Sequence, residues 1–316
     1  MQYLLDTNVF RNLVLNKNFS ELKREIYYLK SSEKNKYLKF LFSNTVCIEL
    51  INHLSCNDSS KNECFKALNY KTRLCGDFVN DRMKGVTVPE FNELLSFYFF
   101  GKSSTHFIFN KNLLSLSYKI SRFHDQKSLL NFQKEIDDVV QYKKAELDNL
   151  LKNIENHYLT NFSKTKDWTV FKGNECLKKE FHVMIKKKEF HKLFSLALIK
   201  MTFEKEIKNE YQLTQDQFLQ FNYDFCLSID FFIEKIWRKF IDIEKMEYFS
   251  NPKSDPDKRW NSFYDTQIIM ACEFENCKGR KTKLVTTEKK ILNHFKKHKK
   301  EDWCMSYQDF TKRIIN

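Results

Sequence analysis

Gln2-Tyr3-Leu4-Leu5-Asp6-Thr7-Asn8-Val9 is the stretch on which the reading of the fold turns. A short apolar run that ends on an acid reads as a buried strand, Gln2–Leu5, with a carboxylate at its carboxyl end. Helical spacing then begins around Val9 to Leu15. Near the other end of the chain, Lys283-Leu284-Val285-Thr286-Thr287-Glu288 has the same form: a strand over Lys283–Thr286, then an acid. In an open parallel sheet, ligands bind outside the carboxyl ends of the strands. Asp6 and Glu288 are expected there together.

Working outward, Phe19–Leu29 reads as helix. Phe40–Val46 reads as a second strand or as the turn into a helix over Cys47–Leu54, which carries Glu49. From about residue 58 to 250 apolar residues recur at helical spacing and turn signals are sparse. Leu129, Phe132, Ile136, Val139 and Val140 form one stripe. Phe190, Leu193, Phe194, Ala197 and Leu198 form another, and Phe225, Ile229, Phe232, Ile233, Ile236 and Phe240 a third. This pattern predicts five to seven helices in a bundle or two-layer array. Asn251-Pro252-Lys253-Ser254-Asp255-Pro256-Asp257 holds two of the three prolines and is the clearest breaker. Beyond it the α/β pattern returns. Helices are expected over Ser262–Cys272, Glu288–Phe295 and Asp309–Ile314, and a last strand over Trp303–Ser306. The expected fold class is α/β, a parallel-sheet core built from residues 1–57 and 251–316 and interrupted by a large all-helical insertion over 58–250.

Four acids stand where chemistry favours them: Asp6, Glu49, Asp265 and Glu288. Carboxylates that converge repel one another unless cations neutralise them. Hard divalent ions such as Mg²⁺ or Mn²⁺ take oxygen ligands and serve that purpose. Two such ions about 3.5–4 Å apart can activate a water and stabilise the leaving oxygen of a phosphodiester.

The segments Leu4-Leu5-Asp6-Thr7-Asn8-Val9, Val46-Cys47-Ile48-Glu49-Leu50, Tyr264-Asp265-Thr266-Gln267-Ile268-Ile269-Met270-Ala271 and Leu284-Val285-Thr286-Thr287-Glu288 together resemble the ordered motifs of PIN-domain ribonucleases. The likeness covers roughly residues 1–55 and 256–316; residues 58–250 match no family pattern. It departs from the family in carrying Glu288 where Asp is more usual, and in the length of the insertion. The resemblance implies a three-layer PIN-like core in which Asp6, Glu49, Asp265 and Glu288 hold Mg²⁺ or Mn²⁺, with Asn8 and Thr286 as supporting polar groups. It implies an endonuclease that hydrolyses phosphodiester bonds, with RNA favoured over DNA. Two alternatives are a DNA-directed nuclease and a non-catalytic nucleic-acid-binding or assembly protein with a decayed acid site.

Charge agrees with a polyanionic partner. The net charge is +13, which favours nucleic acid first and an anionic membrane second. Lys278–Lys300 holds ten Lys or Arg against one acid, Glu288. Arg280, Lys281, Lys283, Lys289 and Lys290 are the candidates for contacting phosphates. Trp260 and Phe263, next to Asp265, are either core residues or stacking platforms for bases. The insertion is a candidate surface for a protein partner or self-association. No apolar run approaches the ~20 residues that span a bilayer, so no membrane partner is expected, and the start lacks the pattern of a signal peptide. A cytoplasmic location is expected, with the nine Cys as reduced thiols. Cys272, Cys277, His294 and His298 come near zinc-finger spacing, and His53, Cys56, Cys64 and Cys75 are a weaker set; buried thiols and surface imidazoles explain both equally well. A Gly-rich phosphate loop and a Gly-x-Ser-x-Gly elbow are both missing from the sequence.

Overall fold

The computed structural model describes residues 1–36, 38–55, 59–79, 82–84, 87–102, 107–158, 173–206, 213–237 and 256–315. In chain order the elements are β1 (Gln2–Leu5), α1 (Thr7–Val14), α2 (Phe19–Lys36), β2 (Lys39–Phe40), β3 (Phe42–Ser43), α3 (Asn44–Ser55) and α4 (Lys61–Cys75). Then come β4 (Asp77–Val79), β5 (Arg82–Lys84), β6 (Thr87–Val88), α5 (Phe91–Phe100), α6 (Phe107–Ser121) and α7 (Gln133–Tyr158). They are followed by α8 (Glu175–Met184), α9 (Lys188–Glu206), α10 (Gln215–Asp224), α11 (Cys226–Phe232) and α12 (Pro256–Cys277). The chain closes with β7 (Thr282–Thr286), α13 (Lys289–Lys297), β8 (Cys304–Ser306) and α14 (Tyr307–Phe310). It divides into two compact units: residues 1–140 with 267–316, and residues 141–266.

The first unit is built on a four-stranded sheet of order β2-β1-β7-β8. Every pairing in it is parallel. Leu4 lies opposite Leu284 and Leu5 opposite Val285, while Thr286 lies opposite Ser306. The two central strands carry Leu4, Leu5, Leu284 and Val285, each at most 1% exposed. An unbroken apolar run, rather than an alternating one, is what a parallel strand covered on both faces requires. Tyr3 places its ring 6.0 Å from Phe40 and 5.6 Å from Phe310, so the closing helix α14 seals one end of the sheet core. Because all four strands run the same way, the residues after β1 and β7 emerge at one edge of the sheet.

Phe40–Val46 resolves into two two-residue strands in different sheets, then the start of α3. β3 pairs in parallel with β6, Phe42 opposite Thr87. The interval expected to be an all-helical insertion therefore contains strands. It also contains α4, which belongs to the first unit and packs against α1, α2, α3 and α6. Phe65, Leu68, Tyr70 and Leu74 on α4 are all buried. The expected boundaries at 58 and 250 thus differ from the observed ones at 140 and 266. Periodicity shows that a helix has an apolar face, but not which neighbour covers it. Of the stripe Leu129, Phe132, Ile136, Val139 and Val140, Leu129, Ile136 and Val139 are buried and Phe132 and Val140 are half-buried, and all five lie in the first unit.

Phenylalanines form the core of the second unit. Phe194 and Phe232 stack at 4.8 Å, Phe221 and Phe225 lie 4.9 Å apart, and Phe232 meets Phe263 edge-on at 5.4 Å. Phe263 is therefore a core residue, and the side chain of Trp260 lies outside the described residues. Leu193, expected on an apolar face, is 54% exposed, and Phe240 lies outside the described residues. α10 begins with a capping box. Gln217 N donates to Thr214 Oγ1 at 3.2 Å, and Thr214 N donates to Gln217 Oε1 at 3.1 Å. Thr214→Ala removes one half of it and is expected to cost about 1 kcal/mol, whereas Thr214→Ser should be near neutral; urea unfolding followed by circular dichroism measures both. α12 starts at Pro256, six residues before the expected Ser262. Proline suits the first helical position because that residue's N–H has no partner within the helix. Residues 251–255 of the expected breaker lie outside the described residues.

Candidate metal-binding acidic site

The site is best built from Asp6. Its backbone N–H continues the ladder, donating to Val285 O at 3.0 Å, and its carbonyl accepts the N–H groups of Val9 and Phe10 at 3.0 and 3.3 Å. Asp6 is therefore at once the end of β1 and the N-cap of α1. The sheet and a helix both hold it, so its carboxylate cannot wander as one on a loop could. Oδ1 accepts from Thr7 N at 2.7 Å and Oδ2 from Thr286 Oγ1 at 2.8 Å. The residue is 5% exposed.

Thr286, the last residue of β7, links the two strand ends. Its hydroxyl donates to Asp6 and accepts from Glu288 N at 3.0 Å. Glu288 is the N-cap residue of α13, and its Oε1 accepts from Asn8 Nδ2 at 3.1 Å. On the other side, Thr7 Oγ1 donates to Glu49 Oε2 on α3. Asp6, Glu49 and Glu288 are thereby joined into one hydrogen-bonded assembly by Thr7, Asn8 and Thr286. One turn before Glu49, Thr45 Oγ1 donates to Gln267 Oε1 at 3.4 Å, which ties α3 to α12.

The assembly is linked but not closed: among the described residues, Asp6, Glu49 and Glu288 do not bring one oxygen each within 4.8 Å of one another. As a donor set it consists of carboxylate oxygens, hydroxyls and an amide, which is the chemistry that Mg²⁺ and Mn²⁺ select. Asp265, the remaining expected acid, is a buried residue of α12 in the second unit. Thr7 was not singled out by the sequence reading. Only the pairing of α1 with α3 reveals that it, not its neighbour Asn8, reaches Glu49.

The basic tract divides by position on β7. Lys281 stands just before the amino end of that strand and Lys283 is half-buried within it. At roughly 3.3 Å per residue, Lys281 is about 15 Å from the acid edge. Arg280 is engaged with Glu275: Nη2 donates to Oε1 at 2.9 Å and Nε stands 2.8 Å from Oε2. Lys289 and Lys290 begin α13 at the acid edge, with Lys290 Nζ 3.9 Å from Glu288 Oε2. Of the five expected phosphate contacts, only these two share an edge with the carboxylates.

The chain was compared with protein-family models, curated proteins and solved structures, and no match was found. Among the described residues, no helix is long and apolar enough to cross a membrane.

The Cys272, Cys277, His294 and His298 set follows the expectation of buried thiols and surface imidazoles only in part: Cys272 is buried, but Cys277 is exposed and His294 is buried. Cys272 is buried, with Sγ donating toward Trp303 O at 3.6 Å and Thr282 O at 3.8 Å and accepting from Asn276 Nδ2 at 3.5 Å. Burial pushes this thiol well above its ordinary range, the opposite of what a metal-bound thiolate needs. Burial likewise pushes Cys304 up to about 12. Cys277 is exposed, and Cys56 of the weaker set lies outside the described residues.

Proposed function

We propose that the chain is a divalent-metal-dependent endonuclease with a PIN-like core that hydrolyses phosphodiester bonds, RNA before DNA. The observation that carries this reading is the meeting of Asp6, Glu49 and Glu288 around the carboxyl ends of two adjacent parallel strands, tied together by Thr7, Asn8 and Thr286. That edge is where open α/β sheets bind ligands. Asp6, Glu49 and Glu288 would hold Mg²⁺ or Mn²⁺. Asp265 enters this reading through the sequence resemblance alone, as does the preference for RNA.

When bound, the ion lowers the pKa of a water and acts as a Lewis acid on the phosphoryl oxygens. The chain's own residues do the positioning. Thr286 orients Asp6 by donating to Oδ2, and the ladder bond to Val285 holds its backbone. Thr7 and Asn8 orient Glu49 and Glu288 from consecutive positions on α1. Lys289 and Lys290, at the same strand end, offset the negative charge of an approaching phosphate.

A second reading rests on one observation: among the described residues, the carboxylates of Asp6, Glu49 and Glu288 are linked through Thr7, Asn8 and Thr286 but do not gather close enough to share one ion. On that reading Asp6 serves as the N-cap of α1, Glu288 as the acceptor that holds Asn8, and the chain binds nucleic acid without cutting it. The experiment that separates the two is cleavage of labelled single-stranded RNA and DNA by the full chain, with Mg²⁺, Mn²⁺ or EDTA. Cleavage of RNA with either ion and none in EDTA is expected. Intact RNA with both ions, at protein concentrations that saturate binding, would establish the non-catalytic reading.

A further inference from the structure

α13 has the sequence Lys-Lys-Ile-Leu-Asn-His-Phe-Lys-Lys, with four lysines and no acid. At 100° per residue, Lys289, Lys290, Asn293, Lys296 and Lys297 fall within an arc of about 120°. Ile291, His294 and Phe295 are buried beneath the helix. Lys289, Asn293, Lys296 and Lys297 are exposed, and Lys290 is half-exposed.

Such a face is self-repelling, since no Glu or Asp within the helix stands three or four residues from a lysine to compensate it. Lys296 and Lys297 have a local explanation: cations at a helix C-terminus are favourable. Cations in the first turn oppose the helix dipole, at roughly 0.3–1 kcal/mol each; Lys290 is offset in part by Glu288, 3.9 Å away, whereas Lys289 has no such local explanation in the sequence of the helix. Residues that break a local rule mark positions kept for another purpose. The first turn is also the end of α13 that follows Glu288 and Thr286 at the acid edge. The nearest acids in sequence are Glu288, before the helix, and the exposed Glu301 and Asp302 beyond it. The positive face is thus bounded at both ends.

We infer that the lysine face of α13 is a track for the phosphate backbone of a single-stranded nucleic acid, running away from the acid edge. The inference takes its starting point from the proposed nuclease reading, but the track itself needs only charge and placement. From Lys289 to Lys297 the helix rises about 12 Å, which matches three or four phosphates at ~3.4 Å per nucleotide along a stacked strand. Phosphate contacts do not read the sugar, so RNA and DNA of equal length should respond alike.

The test is fluorescence anisotropy of labelled RNA and DNA 12-mers with the full chain, in EDTA, across a KCl series. The wild-type chain should bind both, with affinity falling steeply with salt. K289Q/K290Q/K296Q/K297Q should weaken binding at least about tenfold at low salt, and should flatten the log–log salt slope by about 0.7 per lost phosphate contact, two to three in all. The four corresponding Lys→Arg changes should restore the slope and guard against misfolding. K23Q/K111Q/K127Q/K312Q removes the same charge from exposed positions elsewhere on the first unit and should leave the slope nearly unchanged. The track is overturned if the α13 variant keeps the wild-type slope, or if the control variant loses as much. Because chelator is present throughout, this outcome is independent of whether the wild-type chain cleaves anything.

Discussion

Asp6→Asn is expected to lower Mn²⁺-dependent cleavage of single-stranded RNA by about 10²–10³-fold, the usual cost of removing one electrostatic contact to a transition state. The fold should be unaffected. Asn is as good an N-cap as Asp, so its side-chain oxygen can still accept from Thr7 N. The new amide can face Thr286, whose hydroxyl oxygen has a second lone pair to accept with. What disappears is the negative charge between the two central strands. The substitution therefore separates the two meanings of Asp6: a residue that only caps α1 loses nothing, whereas one that holds a cation loses its function. Asp6→Ala, which removes cap and charge together, should in addition destabilise the chain by about 1 kcal/mol. Single-turnover cleavage, with circular dichroism to verify folding, measures both. Asp265→Asn tested the same way addresses the acid that only the sequence resemblance implies. Wild-type cleavage by a folded Asp6→Asn chain would overturn the metal mechanism.

Lys71→Met is expected to stabilise the protein by roughly 3 kcal/mol at pH 7. Lys71 lies on α4 and is 0% exposed, its ammonium 3.0 Å from the centre of the Phe42 ring. Among the described residues Nζ has no hydrogen-bond partner. Burial lowers its pKa to about 8; the nearby Cys47 and Cys75 act in the opposite direction and offset this only in part. Below pH 8 the folded chain holds a charge that the unfolded chain would solvate better. Between about 8 and the ordinary lysine value of 10.5, the unfolded state binds the extra proton, so the Lys71 contribution to stability rises with pH. Met matches the length and volume of the stem without the charge, which makes it a mild replacement in a packed core. The gap between variant and wild type should shrink from roughly 3 kcal/mol at pH 7 to roughly 2 kcal/mol at pH 9. The difference between the two proteins is the quantity to follow, because Tyr70, which burial pushes upward, makes the fold less stable over the same alkaline range in both. Urea unfolding at three or four pH values tests this. A destabilised Lys71→Met protein would mean that the contact with Phe42 outweighs desolvation.

Much of the first unit was legible in the chain because it depends on local pattern. Leu4-Leu5-Asp6 and Leu284-Val285-Thr286 are short apolar runs that end in polar residues, and such runs become strands wherever both faces are covered. The meeting of Asp6 and Glu288 followed from parallel topology alone, since adjacent parallel strands deliver their carboxyl ends to one edge. The helix after β7 was expected over Glu288–Phe295 and is observed over Lys289–Lys297. Other features were decided only by tertiary structure. Thr7 reaches Glu49 because α1 packs against α3, a contact 42 residues apart in sequence that no periodicity encodes. Arg280 is occupied because folding brings Glu275 to it across the turn between α12 and β7. β3 and β6, with two residues each, are too short to show alternation and exist only through their pairing. The helix α4 belongs to the first unit because its apolar faces fit against α1 and α3. Sequence periodicity registers how much of a helix is buried, and packing alone chooses the partner.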